Sequence, residues 1–201
     1  MSFIDLIHGA GLLFYPLFLC SLFLVFIIGE RTYALRTTAV MPQDLVDAIV
    51  QNRPYSGGKY SVLARILDFA EENQHDEDAV KAFARLEINR MERGIPYLDV
   101  IYAAGPLFGL TGTIWGLLRV FSQISPDTGL PDPVAFTKGV SLALSATLFG
   151  LGVAIPALLG GGYLQRKVET YAVRIDSLLE RINSRRTTNR RSVETTAATV
   201  R

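Results

Sequence analysis

Three long apolar runs, separated by polar segments, divide this chain of 201 residues. The first run covers residues 6–29 and is interrupted only by His8, while the second, 100–118, and the third, 139–164, carry no formal charge. Their lengths are close to or above the roughly 20 residues that a helix needs to cross a bilayer. The pattern predicts an all-α membrane protein with three transmembrane helices, the first of them within residues 1–29.

The second and third runs carry small residues at helical spacing. In the second run four glycines recur at intervals of four, three and four, which places them on one helix face. In water each would cost about 1 kcal/mol relative to alanine, whereas in lipid small residues let helix backbones approach closely. We therefore expect contacts between identical copies, or a pore lining, along two faces. These faces comprise Gly105, Gly109, Gly112 and Gly116 in one run, and Gly139, Ala143, Ala146, Gly150, Ala154 and Ala157 in the other.

The aliphatic hydroxyl groups of the two runs belong to Thr111 and Thr113 in the second run and to Ser141, Ser145 and Thr147 in the third. One interpretation is that each threonine bonds a backbone carbonyl of its own preceding turn. The other is that a hydroxyl meets a carboxyl group or water. Because neither run contains an acid, and a proton relay in a membrane normally needs titratable groups, the proton carrier would have to come from another protein.

Residues 30–99 form the long polar segment, which is predicted to be helical. Its apolar side chains follow helical spacing, and Asp76 is placed to cap the start of one helix. Gly94 and Pro96 interrupt the pattern just before the second run. The mixture of charges without catalytic motifs indicates a helical extension rather than an enzyme domain.

The remaining polar segments differ from one another. Residues 119–138 contain three prolines and are predicted to form a short irregular loop. Residues 165–182 carry apolar side chains in steps of three and four, which predicts a helix that pairs with other subunits or with the polar segment. Residues 183–201 are rich in Arg and Thr, have little to bury, and are expected to be disordered.

Basic residues are distributed unevenly around the three runs. Nine Lys and Arg lie in residues 30–99 and nine in 165–201, whereas only Arg119 and Lys138 flank the short loop. The positive-inside rule therefore places the polar segment and C-terminus in the cytoplasm, with the N-terminus and loop outside. No basic residue precedes the first run, which indicates a retained helix rather than a signal peptide. We expect the basic side chains to contact lipid headgroups rather than nucleic acid.

The sequence contains no arrangement typical of catalysis or metal binding. Cys20 is the single cysteine, and the histidines, His8 and His75, lie far apart, so neither a disulfide nor a metal site is predicted. A Gly-rich phosphate loop and a nucleophile motif are also missing from the sequence. We therefore expect a protein that needs no cofactor and is not an enzyme.

Two motifs point to a family. The first, GLTGTIWG, covers residues 109–116 of the second run, and the second, GVSLALSAT, begins at Gly139 and is followed by AIPA at 154–157. Their combination resembles the MotA/TolQ/ExbB proton-channel family. The three-helix layout is more similar to the TolQ and ExbB branches than to the four-helix MotA branch.

This resemblance implies a subunit of the bacterial inner membrane that assembles as a pentamer around two single-span helices of an ExbD/TolR-type partner. The partner's aspartate carries protons past Thr113 and Thr147, and proton flow drives work for outer-membrane import or envelope maintenance, with a TonB/TolA-like protein as a further partner. The implied pore-lining or subunit-packing residues are Gly105, Pro106, Gly109, Gly112, Gly116, Ala143, Ala146, Gly150 and Pro156.

The sequence departs from the family pattern at two places. Leu142 stands where many TolQ and ExbB members have a glutamate, so the one acid expected in the third helix is missing. Gly161 and Gly162 replace the Tyr-Asn pair that often follows AIPA at the inner mouth of the pore. Leu142 leaves a second function open, that of a membrane scaffold that binds a partner complex but conducts nothing.

Overall fold

The computed structural model describes residues 14–51, 53, 60–74, 76–124 and 132–199, and for residues 14, 186 and 188–199 it describes the backbone alone. That part of the chain is nearly all helical. Its helices are α1 (Phe14–Ala34), α2 (Thr37–Val40), α3 (Gln43–Gln51), α4 (Val62–Glu72), α5 (Glu77–Glu92), α6 (Pro96–Phe121) and α7 (Pro133–Thr199).

Three helical stretches of the described residues are long and apolar enough to cross a membrane. They lie in α1, in the α5–α6 stretch and in α7. The predicted helical membrane fold with three spans is confirmed, while the orientation of the termini stays a prediction. The beginning of the first run, with His8, lies outside the described residues.

The first compact unit comprises residues 1–31 and 94–163. It contains α1, α6 and the first half of α7. As predicted, the helix is interrupted around Gly94, between Glu92 and Pro96, and φ at Gly94 is +96°, a value that residues other than glycine rarely adopt. A Cβ atom there would also lie 3.0 Å from Nε of Arg31, so a larger residue would have to displace that side chain.

The membrane helices extend beyond their predicted bounds. Helix α6 occupies Pro96–Phe121 rather than 100–118, and α7 begins at Pro133 rather than at 139, so both ends of the expected loop 119–138 are helical. Asp132 sets the earlier start, because its Oδ2 accepts a hydrogen bond from the Ala135 amide at 3.0 Å and Pro133 suits a first helical position. Pro156 lies inside α7, which continues without interruption through the Gly160–Gly162 triplet.

The second unit comprises residues 32–93 and 164–201. In it α4 and α5 pack together, with the rings of Phe69 and Phe83 stacked at a centroid distance of 4.3 Å. Asp76 caps α5 as predicted, since its Oδ1 accepts from the Ala79 amide at 2.9 Å. Buried Glu87 of α5 joins the two helices, because its Oε2 accepts a hydrogen bond from Nε of Arg65 in α4 at 3.2 Å. Its Oε1 accepts a second hydrogen bond, at 2.6 Å, from Nη1 of Arg90 in its own helix.

The seam predicted for residues 165–182 is buried within this unit. Val168, Tyr171 and Ile175 are each at most 5% exposed. The Tyr171 hydroxyl donates to the carbonyl oxygen of Leu35 at 3.2 Å and lies 3.3 Å from Oγ1 of Thr37. Of the two partners predicted for this seam, the structure therefore uses the polar segment.

Residues 183–199 of the tail that was expected to be disordered are helical in the structure. Helix α7 continues to Thr199, because residues 183–199 contain neither Gly nor Pro and extending an existing helix needs no new nucleus. Arg185 also packs on the end of α3, where its Nη1 donates to the Ile49 carbonyl at 2.9 Å and its Nη2 to the Val50 carbonyl at 3.2 Å. The last carbonyls of a helix lack partners of their own, so this arginine caps α3.

We predict that Arg185→Ala lowers the free energy of unfolding by about 1 kcal/mol, because two charge-assisted hydrogen bonds to a helix end are lost. The measurement is thermal unfolding of the detergent-purified protein followed by circular dichroism. Arg174→Ala is the matched control, since Arg174 is exposed on the same helix. Equal midpoints for the two variants would contradict the capping role.

Candidate functional site

The small-residue faces of α6 and α7 pack against each other. A Cβ atom at Gly105 would lie 2.8 Å from the Gly150 carbonyl oxygen, and one at Gly109 would lie 3.1 Å from the Ala146 carbonyl oxygen. Towards the other end, a Cβ atom at Gly116 would lie 3.1 Å from Cβ of Ala143. Residues with higher numbers on α6 contact residues with lower numbers on α7. The two helices are therefore antiparallel, with their backbones in close contact.

This packing changes the role expected of the small residues. Their spacing predicts contacts between copies or a pore lining, but the structure brings the two faces together inside one chain. Spacing alone could not distinguish these cases, because small residues serve any close helix pair. The pore-lining role stays a prediction. The buried members of the two faces are Gly105, Gly109, Gly112, Gly116, Ala143, Ala146, Gly150, Ala154 and Ala157, while Pro106 is half-buried and Pro156 exposed.

Gly139 also belongs to the contact between α6 and α7, although the motifs do not mark it as a site residue. A Cβ atom there would overlap the Val120 side chain. Its signal in the sequence was the four-residue spacing to Ala143. Gly139 therefore extends the closely packed interface to the last turn of α6.

Both threonines of α6 bond back to their own helix. The Thr113 hydroxyl donates to the Leu110 carbonyl at 2.6 Å, and the Thr111 hydroxyl donates to the Leu107 carbonyl at 2.8 Å. Residues two positions apart do not share a helix face, so the two hydroxyls lie on different sides of the glycine stripe. Thr113 is half-buried and Thr111 exposed.

Thr147 differs from both. Its Cα lies 3.1 Å from the position of a Cβ at Gly109, so it stands beside the α6–α7 contact. Among the described residues its hydroxyl has no hydrogen-bond partner. The Thr147 hydroxyl is therefore available as both donor and acceptor, whereas Thr113 has its proton engaged and retains acceptor capacity only.

The outer sides of the α6–α7 pair remain apolar and exposed in the single chain. On α6 these include Leu107 at 63%, Ile114 at 53% and Trp115 at 65% exposure, and on α7 Leu148 at 70%. Surfaces of this kind are suited to lipid or to neighbouring membrane helices. Within the described residues no group of three or more His, Cys, Asp and Glu side chains could hold a metal ion.

Comparison with known proteins connects this helix pair to a family. The sequence model of the MotA/TolQ/ExbB proton channel family matches residues 56–177, more than half of the chain. The biopolymer transport protein ExbB1 of Vibrio cholerae is 25% identical over 190 residues, covering 86% of this chain and 83% of its own length. ExbB of Helicobacter pylori is 32% identical over 53% of this chain and 70% of its own length. The Tol-Pal system protein TolQ of Haemophilus influenzae is 33% identical over 41% of this chain and 36% of its own length.

We predict that Gly105→Ala destabilises the protein by about 1–3 kcal/mol, because the added methyl group overpacks the backbone of α7. Gly152→Ala is the matched control, since a Cβ at Gly152 meets nothing within 4 Å. Both changes replace a mid-helix glycine in the membrane region, so their difference isolates the interhelical contact. Thermal unfolding of the purified protein measures it, and equal loss in both variants would contradict the packing.

Proposed function

Because the chain belongs to the MotA/TolQ/ExbB proton channel family, we propose that it is the pore-forming subunit of a proton-driven motor complex in the bacterial inner membrane. One observation carries the proposal. The closely packed α6–α7 pair carries the hydroxyl groups of Thr113 and Thr147, and neither 100–118 nor 139–164 contains an acid. Hydroxyl groups can solvate a titrating carboxyl group but cannot carry a proton charge themselves.

The missing carrier would be the aspartate of an ExbD/TolR-type single-span partner, held within a ring of copies of this chain, for which we propose five. The exposed apolar sides of α6 and α7 supply surface for the neighbouring copies and for the partner. A proton that moves down 100 mV releases about 2.3 kcal/mol, which is enough to bias one rotation step. A TonB/TolA-like protein would deliver this work to outer-membrane import or envelope maintenance.

The proposed topology places the N-terminus and the α6–α7 connection outside and the second unit in the cytoplasm. The distribution of basic residues supports it, because residues 30–99 and 165–201 hold eighteen of the twenty. Neither a cofactor nor an enzymatic step is part of the proposed mechanism. The motor work would derive from proton movement alone.

Leu142 supports a second candidate function. It is half-buried on α7, at the position where related sequences often carry a glutamate, and it offers no group for ion conduction. A subunit that binds its partners without conducting protons would be a membrane scaffold. Proton flux through the assembled complex separates the two functions.

We predict that Thr147→Val and Thr113→Val abolish proton flux while the complex still assembles. Valine retains the shape of threonine and removes the hydroxyl, and a membrane hydrogen bond of this kind contributes only about 0.6 kcal/mol to stability. The measurement is proton uptake into liposomes that contain the complex of this chain with its partner, after its stoichiometry is confirmed.

Thr111→Val is the matched control. Thr111 bonds back to its helix as Thr113 does, but it lies on the other side of the glycine stripe. We expect it to retain wild-type flux. Wild-type flux in all three variants would reject the proposed pathway, and a wild-type complex that assembles without passing protons would favour the scaffold.

A further inference from the structure

Helix α6 contains one acid, and the proposed pathway has not yet used it. Asp99 lies in the first turn of α6, where the apolar run begins, and its side chain is exposed. A carboxylate in a first turn is favoured by the helix dipole, which is a purely structural role. A second observation goes beyond that role. Oδ1 of Asp99 lies 3.8 Å from the position of a Cβ at Gly161, so α7 has no side chain there to cover the carboxylate.

Asp99 shares a stripe of α6 with Thr113. The positions 99, 102, 106 and 113 are separated by three, four and seven residues, which aligns them along one side of the helix. The stripe extends about 21 Å, at 1.5 Å per residue, from the carboxylate to the hydroxyl. It therefore covers most of the depth of a bilayer core.

The stripe also has a polar group between its ends. Pro106 lies inside α6 and has no N–H, so the carbonyl of Tyr102 cannot receive the usual hydrogen bond from four residues ahead. That carbonyl can accept a hydrogen bond from water instead. The stripe thus offers a hydroxyl, a carbonyl without its usual helical donor and a carboxylate in order of depth.

We propose that Asp99 is the proton-release group at the cytoplasmic end of the pathway, an inference that rests on the proposed function. A carboxylate oxygen of Asp99 takes a proton from the last water of the path, forming an O–H bond, and that water is reprotonated along the path from the partner's carboxyl group. It then transfers that proton to bulk water and returns to the carboxylate. Position 142 of α7 is a leucine and supplies no acid, so the acid on this stripe is Asp99 of α6.

Among the described residues of the first unit, α1 carries two charged side chains, Glu30 and Arg31, and these pair with each other at 3.3 Å between Oε1 and Nη2. Asp99 has no ion pair among the described residues. Arg31 packs against Gly94. The α7 residue that faces Asp99 is Gly161, which carries no charge.

The test uses the complex of this chain with its partner in liposomes, driven by a pH gradient. Asp99→Asn keeps the size of the side chain and removes the titratable group, so proton flux should fall about tenfold or more. Asp99→Glu should restore most of it. Glu30→Gln is the matched control, because it removes one acid near the same end of the helices, and its flux should equal that of the wild type.

A further measurement separates proton release from a structural role. A concentrated membrane-impermeant sulfonate buffer on the cytoplasmic side should raise the flux of the Asn variant and leave the wild type nearly unchanged, because mobile buffer replaces the lost acceptor. If Asp99→Asn fails to assemble, Asp99→Ser takes its place. Wild-type flux in the variant, or reduced flux that neither glutamate nor buffer restores, would overturn the proposal. A wild-type complex without proton flux would instead reject the proposed function.

Discussion

The close approach of α6 and α7 is the contact on which the membrane unit depends. A methyl group at Gly105 or at Gly150 would come within 2.8 or 2.5 Å of a backbone oxygen on the opposite helix, so the two backbones touch directly. Lipid tails are as apolar as leucine, and hydrophobic burial therefore provides no drive for such a pair. Close packing of backbone atoms supplies the attraction instead, through many small dispersion contacts.

This contact determines which surfaces remain for other proteins. The small residues are used inside one chain, so in the proposed complex contacts with further copies or partners would use the flanks and larger exposed side chains such as Ile114, Trp115 and Leu148. The same contact fixes the register of the two helices. Because Gly109 lies against Ala146 and Thr147, the depth of the Thr147 hydroxyl follows from glycine positions rather than from its own interactions.

The sequence predicts where the helices lie better than it predicts which helices and side chains pack against one another. Run length and spacing were sufficient for three membrane helices, and local chemistry was sufficient for the Asp76 cap. Periodicity could not show that the small-residue faces meet within one chain, because the same spacing serves contacts between copies. It also missed Arg185, whose role depends on the carbonyl groups of α3, 135 residues or more away along the chain. Long-range partners of this kind leave no local pattern.

The two threonines nearest the glycine stripe are not chemically equivalent, although the sequence motifs present them as a pair. Thr113 donates to its own helix and offers only lone pairs, so it is suited to accept a hydrogen bond from a protonated carboxyl group. Thr147 retains its donor and is suited to a carboxylate, which can only accept. In the proposed pathway, one hydroxyl would thus favour the neutral form of the passing acid and the other its charged form. A pair of sites that prefer opposite protonation states gives the carrier a reason to move between them when its proton is gained or lost.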